Sequence, residues 1–242
     1  MRRKRIGVMV PSTNTTLEAD FQLVAPRQVT IHGHRLWLTN SANGDEAYER
    51  MNGEVETGAR YLATARVDVV AYGCTTGSFY RGAGWDRDLL ATMRAAAGVP
   101  AVATTPAVVD ALRAFGARRL SVVTPYPEWN NRRLRPYFEG VGFEVLNVDG
   151  EPVAAASGNQ GINDQEPESV AEFATKMCRP EADALLCSCT AWRSLEAADR
   201  IEQRLGKPVI TSNQATIWAA FRAIGIDHRI RGYGQLLEGL AT

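Results

Sequence analysis

Short apolar runs alternate along this chain with longer stretches in which apolar residues recur at helical spacing, and the rhythm continues almost to the end. The segments RIGVMVP (5–11), VTIHGHRLWL (29–38), VDVVAYGC (67–74) and VPAVAT (99–104) read as strands. Between and after them TTLEADFQLV (15–24), 44–65, 83–97 and TPAVVDALRAFG (105–116) read as helices. Asn14 or Thr15 can cap the first of these, and the last carries Pro in its first turn with Gly at its end. The second half repeats the pattern. Strands are expected at RLSVVTPY (119–126), FEVLNV (143–148), ADALLCSC (182–189) and PVITSN (208–213). Helices are expected at 128–139, at 167–178 behind Pro167, at SLEAADRIEQRLG (194–206), and at QATIWAAFRAIG (214–225). The polar, Gly-rich stretch 150–166 reads as a functional loop rather than a simple connector, and a short Gly-rich tail follows Ile226.

Strands separated by helices of this length imply parallel sheets, and unbroken apolar strands such as VDVVAY and ADALL imply sheets covered on both faces. The fold class is therefore α/β, with two sheets of about four strands each. Two segments are imperfect copies: VDVVAYGCTTGSF around Cys74 and ADALLCSCTAW around Cys189. Each copy runs on through a short strand into a related helix, ending A-L-R-A-F-G at 111–116 and A-F-R-A-I-G at 220–225. This duplication divides the chain into a first lobe of 1–116 plus 215–242 and a second lobe of 117–214, crossing near Gly116–Arg118.

Composition narrows the function. Apolar residues make up 45% of 242, enough for a real core. Twenty-seven basic residues balance twenty-seven acidic ones with no polybasic stripe, which gives a nucleic-acid role little support. The basic start MRRKR runs into IGVMV, an apolar run too short for a signal segment or a membrane span, so a cytoplasmic location is expected. The four cysteines do not read as a disulfide scaffold in a chain of this size. Cys187 and Cys189 are spaced C-x-C without a C-x-x-C pair, and His32, His34 and His228 lack ligand spacing, so no metal is expected. Walker, Rossmann and G-x-S-x-G patterns are absent. Surface patches that would fix a homo-oligomer are not readable from the chain.

In open parallel sheets, ligands collect at the carboxyl ends of the strands. Four such ends carry small polar or reactive residues: Pro11–Asn14, Gly73–Thr76, Thr124–Tyr126 and Ser188–Thr190. Each precedes a helix, whose free N–H groups suit a carboxylate and lower the pKa of a nearby thiol. A single cysteine at the end of a buried strand is most often a small core residue. Two in equivalent frames of a repeat, each followed by Thr, argue for chemistry, whereas Cys178 and Cys187 read as structural. Asn14 is equally a helix cap and a substrate contact.

These residues resemble the aspartate/glutamate racemase superfamily, and within it the branch of maleate cis-trans isomerases and arylmalonate decarboxylases. VPSTNTTLEADF, with Asn14, is similar to the start of maleate isomerases. GCTTGSFYRGAGW resembles the decarboxylase segment, but carries Cys74 where those decarboxylases are expected to have Gly. LLCSCTAW supplies the second superfamily cysteine at Cys189, and VVTPY matches the strand whose Tyr, here Tyr126, contacts a substrate carboxylate. CSCTAWR and TSNQATIWAAF also resemble the racemase-like protein associated with ectoine degradation. The resemblance implies two flavodoxin-like lobes related by a pseudo-two-fold, a site between them, and no metal or organic cofactor. Maleate isomerases carry an Asp-Asn pair in the loop that is GINDQEP here, so Asn163 or Gln165 is the expected replacement ligand.

The expected reaction is a two-cysteine isomerisation or racemisation of a small carboxylic acid. In a racemase-like version one thiolate removes a proton and the other thiol returns one on the opposite face. In a maleate-isomerase-like version Cys74 adds to the alkene, the new single bond rotates, and elimination gives the trans acid, with Cys189 supplying or holding the proton. Thr75, Thr76 and Thr190 would hold carboxylate or enolate oxygens. Two alternatives are a decarboxylase of malonate-type acids, in which Cys189 alone reprotonates the enediolate, and a binding protein without catalysis.

Overall fold

The computed structural model describes residues 2–38, 44–82 and 84–241. Among the described residues, eight strands fall into two sheets of four, all parallel. The first sheet holds β1 (Lys4–Pro11), β2 (Val29–Leu36), β3 (Val69–Tyr72) and β4 (Ala101–Ala103), in the order β2-β1-β3-β4. The second holds β5 (Arg119–Thr124), β6 (Glu144–Gly150), β7 (Ala184–Cys187) and β8 (Val209–Thr211), in the order β6-β5-β7-β8. Each reproduces the 2-1-3-4 order of a flavodoxin-like sheet, so the two lobes are copies of one doubly wound plan.

The helices are α1 (Leu17–Val24), α2 (Gly44–Gly53), α3 (Val55–Thr64), α4 (Thr75–Phe79), α5 (Trp85–Ala97) and α6 (Thr104–Ala114) in the first half. The second half adds α7 (Glu128–Gly140), α8 (Pro152–Asp164), α9 (Pro167–Met177), α10 (Ser194–Leu205), α11 (Ser212–Ala223) and α12 (Gln235–Glu238). Helix α10 shows why these segments fold as they do. Leu195, Ala198 and Ile201 share its buried face, and Gly206 closes it in the left-handed region at φ 62°. Helix α11 packs against α6, β3 and β4 as well as β8, so it touches both sheets.

Five sequence expectations need correction. Segment 150–166 is not a loop: its core is α8, opened by Glu151, whose carboxylate accepts from Ala154 N, with Pro152 in the first turn. Gly158 breaks α8 at φ 66°, ψ −167°. The stretch 44–65 is two helices hinged at Glu54. Thr104 starts α6 rather than ending β4, and Ser212 and Asn213 start α11 rather than extending β8. The helix expected from Ala83 begins at Trp85; Ala83 itself lies outside the described residues, as do Met1 and Thr242. Among the described residues no helix is long and apolar enough to cross a membrane.

Candidate active site

Both reactive cysteines stand two residues beyond the end of a central strand, Cys74 after β3 and Cys189 after β7. The strand ends are stitched alike: Gly73 N donates to Met9 O at 2.7 Å, and Ser188 N to Val123 O at 2.9 Å. Cys74 keeps an extended backbone (φ −142°, ψ 112°) and caps α4, its sulfur accepting from Gly77 N at 3.3 Å. Cys189 Sγ accepts from Ala191 N at 3.4 Å. A side chain at position 77 would place Cβ 1.9 Å from the Tyr72 hydroxyl, so only Gly lets that amide approach the sulfur while Tyr72 stays.

The neighbouring threonines bring the two loops together. Thr190 donates its hydroxyl to Gly73 O at 3.0 Å, joining the residue after one cysteine to the residue before the other. Asn14 Nδ2 donates to the same hydroxyl at 3.1 Å, while Asn14 Oδ1 accepts from Thr16 N and Leu17 N at 2.9 and 3.0 Å. Asn14 therefore caps the entry to α1 and ties the lobes with one group.

Cys74 and Cys189 line one cleft of about 210 Å³, together with Asn14, Thr75, Thr76, Tyr126 and Thr190. Its volume is below the roughly 300–1,000 Å³ of drug-sized sites, which restricts it to a small ligand. Among the described residues no Lys, Arg, His, Asp or Glu lines it. A bound anion would be held by hydroxyls, amides and backbone N–H groups alone. Arg133 reaches toward Tyr48 but is engaged by Asp45, Nη2 to Oδ2 at 3.0 Å.

Two expected ligands lie elsewhere. Asn163 is not in the cleft lining: its Oδ1 accepts from Thr15 N at 3.0 Å, and its Nδ2 donates to Thr13 O and Asn159 O at 2.9 and 2.8 Å. It pins α8 to the β1–α1 turn. Gln165 is turned to Trp192, whose indole N–H donates to its side-chain oxygen. In their place the cleft presents residues that the sequence did not single out: Tyr48, Trp129, Asn130 and Asn159. Asn130 Nδ2 donates to Thr76 Oγ1 at 2.8 Å, and Asn159 Nδ2 to Thr13 Oγ1 at 3.1 Å. Tyr48 and Trp129 carried no strand-end signal, because helices α2 and α7 deliver them to the cleft from outside the sheets.

Electrostatics corrects another expectation. Helix N-termini were expected to lower the thiol pKa values; burial wins instead. Cys74 is pushed up to about 12 and Cys189 to about 11, with the amide hydrogen bonds from Gly77 and Ala191 only partly offsetting the loss of solvent. The Cys189 thiolate also raises Cys74, which places the two sulfurs within electrostatic reach. A tyrosine hydroxyl lies beside each, Tyr72 at Cys74 and Tyr126 at Cys189. Burial holds both phenols above their ordinary range, so they stay protonated donors. Cys187 is fully buried deeper along β7 and away from the cleft. Among the described residues no cluster of three or more His, Cys, Asp or Glu could hold a metal ion.

A family model described as arylmalonate decarboxylase matches residues 6–237. This chain belongs to the arylmalonate decarboxylase family. It is 32% identical over 236 residues to the arylmalonate decarboxylase of Bordetella bronchiseptica, covering 96% of each chain. It is 27% identical over 254 residues to the maleate isomerase of Alcaligenes faecalis, covering 99% of this chain and 98% of the other. Among solved structures, a cysteine-to-alanine variant of the maleate isomerase Iso from Pseudomonas putida S16 with maleate superposes with a TM-score of 0.89. That pair shares 30% identity and 98% coverage of both chains. The family thus spans two reactions, and this member carries a thiol on both sides of its cleft.

Proposed function

We propose that this protein is a cofactor-independent isomerase of a small dicarboxylic acid, working by cis-trans isomerisation through a cysteine adduct. One observation carries the reading: Cys74 and Cys189, from opposite lobes, line a single small cleft that has no charged residue among the described residues. The maleate isomerases among its relatives support an alkene diacid as substrate.

Cys74 loses its proton to solvent and its thiolate adds to one alkene carbon, forming a C–S bond while the π electrons move toward the far carboxylate as an enediolate. The N–H of Thr75 and the hydroxyl of Thr76, on the N-terminal turn of α4, and the Tyr126 hydroxyl would hold that developing charge. Cys189, protonated at neutral pH, can deliver a proton to the enediolate carbon and take one back. Rotation about the new single bond and loss of the thiolate give the trans acid, so the product has the atoms of the substrate and Cys74 is regenerated.

Proton NMR of the protein with maleate tests this directly. The expected result is conversion of the alkene signal of maleate to that of fumarate, lost in Cys74→Ser at unchanged fold. Fumarate production by Cys74→Ser at the original rate would remove Cys74 from the reaction.

Decarboxylation of an arylmalonate is the second reading, favoured by the apolar wall of Leu38, Ala47, Pro127 and Ile162, a suitable seat for a departing carboxylate. Cys74 opposes it, because the thiol occupies the place expected to be Gly in those decarboxylases. Release of CO2 from phenylmalonate, with no turnover of maleate, would establish decarboxylation instead.

A further inference from the structure

The first turn of α11 forms a common floor beneath both cysteine loops. Ser212 Oγ accepts from the Thr75 hydroxyl at 3.0 Å, one residue past Cys74. Asn213 Nδ2 donates to Thr190 O at 3.2 Å, one residue past Cys189. The same Nδ2 donates to Asp20 Oδ2 at 2.5 Å, and Asp20, on α1, is 3% exposed. Among the described residues, Asn213 Oδ1 is buried without a hydrogen-bond partner. Asp20 lies outside the cleft lining and has no part in the adduct chemistry above.

We propose that Asp20 is a positioning residue: its carboxylate fixes the Asn213 amide, and through Asn213 the Thr190 carbonyl and the sulfur of Cys189. The partnerless oxygen gives the arrangement two states. With Asp20 ionised, Asn213 points its N–H groups at Asp20 and Thr190. With Asp20 protonated, the carboxyl O–H can donate to Asn213 Oδ1; the amide then turns and Thr190 O loses its donor.

Burial pushes the Asp20 carboxyl up to about 7, against the lowering hydrogen bond from Asn213. Charged groups facing it are few. At the start of α10, Arg193 and Glu196 act in opposite directions and bond each other at 2.9 Å, with Glu166 also on Arg193. Helix α11 presents the neutral Asn213, and Arg35 of β2 is engaged by Glu18. The two states therefore exchange near neutral pH.

The test is the ratio of Cys189 to Cys74 alkylation by iodoacetamide, measured peptide by peptide from about pH 5.5 to about pH 8.5, a range bracketing the Asp20 value. Taking the ratio cancels the rise in thiolate common to both. In the wild type the ratio is expected to change by about threefold or more across pH 7, the scale of coupling within one hydrogen-bond network. In Asp20→Asn, which keeps an acceptor for Asn213 but cannot titrate, the ratio is expected to be flat. A flat wild-type ratio overturns the proposal without any variant, and so does an inflection that survives in a folded Asp20→Asn.

A kinetic arm rests on the isomerase reading: kcat/KM for maleate is expected to show a limb near pH 7, absent in Asp20→Asn and carried by kcat rather than KM. A wild-type profile without that limb would overturn the coupling to turnover. An inflecting alkylation ratio in a protein inert toward maleate would uphold the positioning role and reject the substrate instead.

Discussion

Thiol ionisation is the property on which the proposed chemistry turns, and it can be measured without knowing the substrate. Cys74 stands at about 12 against an ordinary 9.0. At pH 8 that difference leaves about a thousandfold less thiolate than an ordinary cysteine would have. A more basic thiolate is also a better nucleophile; with a Brønsted coefficient of roughly 0.4–0.5, three units return about 20-fold. Alkylation of Cys74 by iodoacetamide is therefore expected to run about 50-fold slower than that of an unhindered thiol. Cys189, at about 11, lies two units above its ordinary value. The same reasoning makes it about 10-fold slower than that thiol, so it should react before Cys74.

The assay is mass spectrometry of peptides containing each cysteine after timed exposure between about pH 7 and about pH 10, below the value of either thiol. Restricted access also slows alkylation, so the slope is the decisive quantity. A thiol far below its pKa gains thiolate tenfold per pH unit, so the Cys74 log-rate line should climb with unit slope across the window, and the Cys189 line should do so once Asp20 is ionised, above about pH 8. A plateau below about pH 9 at Cys74 would show that the Gly77 amide and the α4 terminus outweigh burial, and would refute the ionisation argument. The same slope should appear in kcat/KM for maleate above pH 7, because the attacking species is the minor one.

Cys74→Ser should lower turnover by orders of magnitude while leaving the thermal midpoint nearly unchanged; equal losses in both would mean the side chain serves only packing. Gly77→Ala forces Cβ to within 1.9 Å of the Tyr72 hydroxyl and 2.8 Å of Met51 Cε. It should cost about 1–3 kcal/mol in chemical denaturation, and an unchanged midpoint would contradict the close approach. The Asp183 carboxylate is held at about 2 by the Arg119 guanidinium and the N–H groups of Arg118 and Arg119. A lowered folded-state value stabilises above the unfolded value and fades as pH falls toward 2, so Asp183→Asn should flatten stability between pH 4 and pH 2 and leave no acid-dependent difference from that site. Asp20 has the opposite sign: its raised value favours the fold at low pH and is lost as pH rises through 7. Melting of Asp20→Asn should therefore gain on the wild type from pH 5 to pH 8; a constant difference would mean Asp20 does not titrate there.

The strand–helix alternation was legible because buried parallel strands are continuous apolar runs, and the duplication fixed Cys74 and Cys189 in equivalent frames before any coordinates. Asn14, Thr75, Thr76, Tyr126 and Thr190 followed from the rule that ligands gather at strand ends, and they do line the cleft. Segment 150–166 was misread because its glycines, serine and asparagines have poor helix propensity. Tertiary contact overrides that propensity: Ala154 and Ile162 are buried, and Asn163 is held by the β1–α1 turn. The signal present was Glu-Pro at 151–152, a cap followed by a first-turn proline. Thiol ionisation was misjudged for a different reason. Sequence shows a helix start beside each sulfur, but not the depth at which the sulfur lies, and depth outweighs the amides here. The Asp20–Asn213 pair was illegible because its members are separated by 193 positions.

A cleft without a cation among the described residues is consistent with the reaction proposed for it. A fixed arginine against a carboxylate would hold the resting diacid about as firmly as the adduct, and such uniform binding leaves the chemical barrier where it was. Neutral donors such as the Thr76 hydroxyl and the Tyr126 phenol gain more as charge accumulates on the oxygens they face, and in a small, largely buried site that gain is only weakly screened. Basic thiols fit the same logic. A thiolate with a raised pKa attacks the alkene readily but is scarce, and it leaves the adduct more slowly than a less basic one. Isomerisation needs both steps through one bond, so the thiol cannot be tuned for attack alone. Decarboxylation has no such constraint, since Cys189 would only deliver a proton and Cys74 would merely occupy space. The pH slope of Cys74 is thus informative about function as well as ionisation: a substrate whose turnover tracks it forms a bond to that sulfur, and one whose turnover ignores it does not.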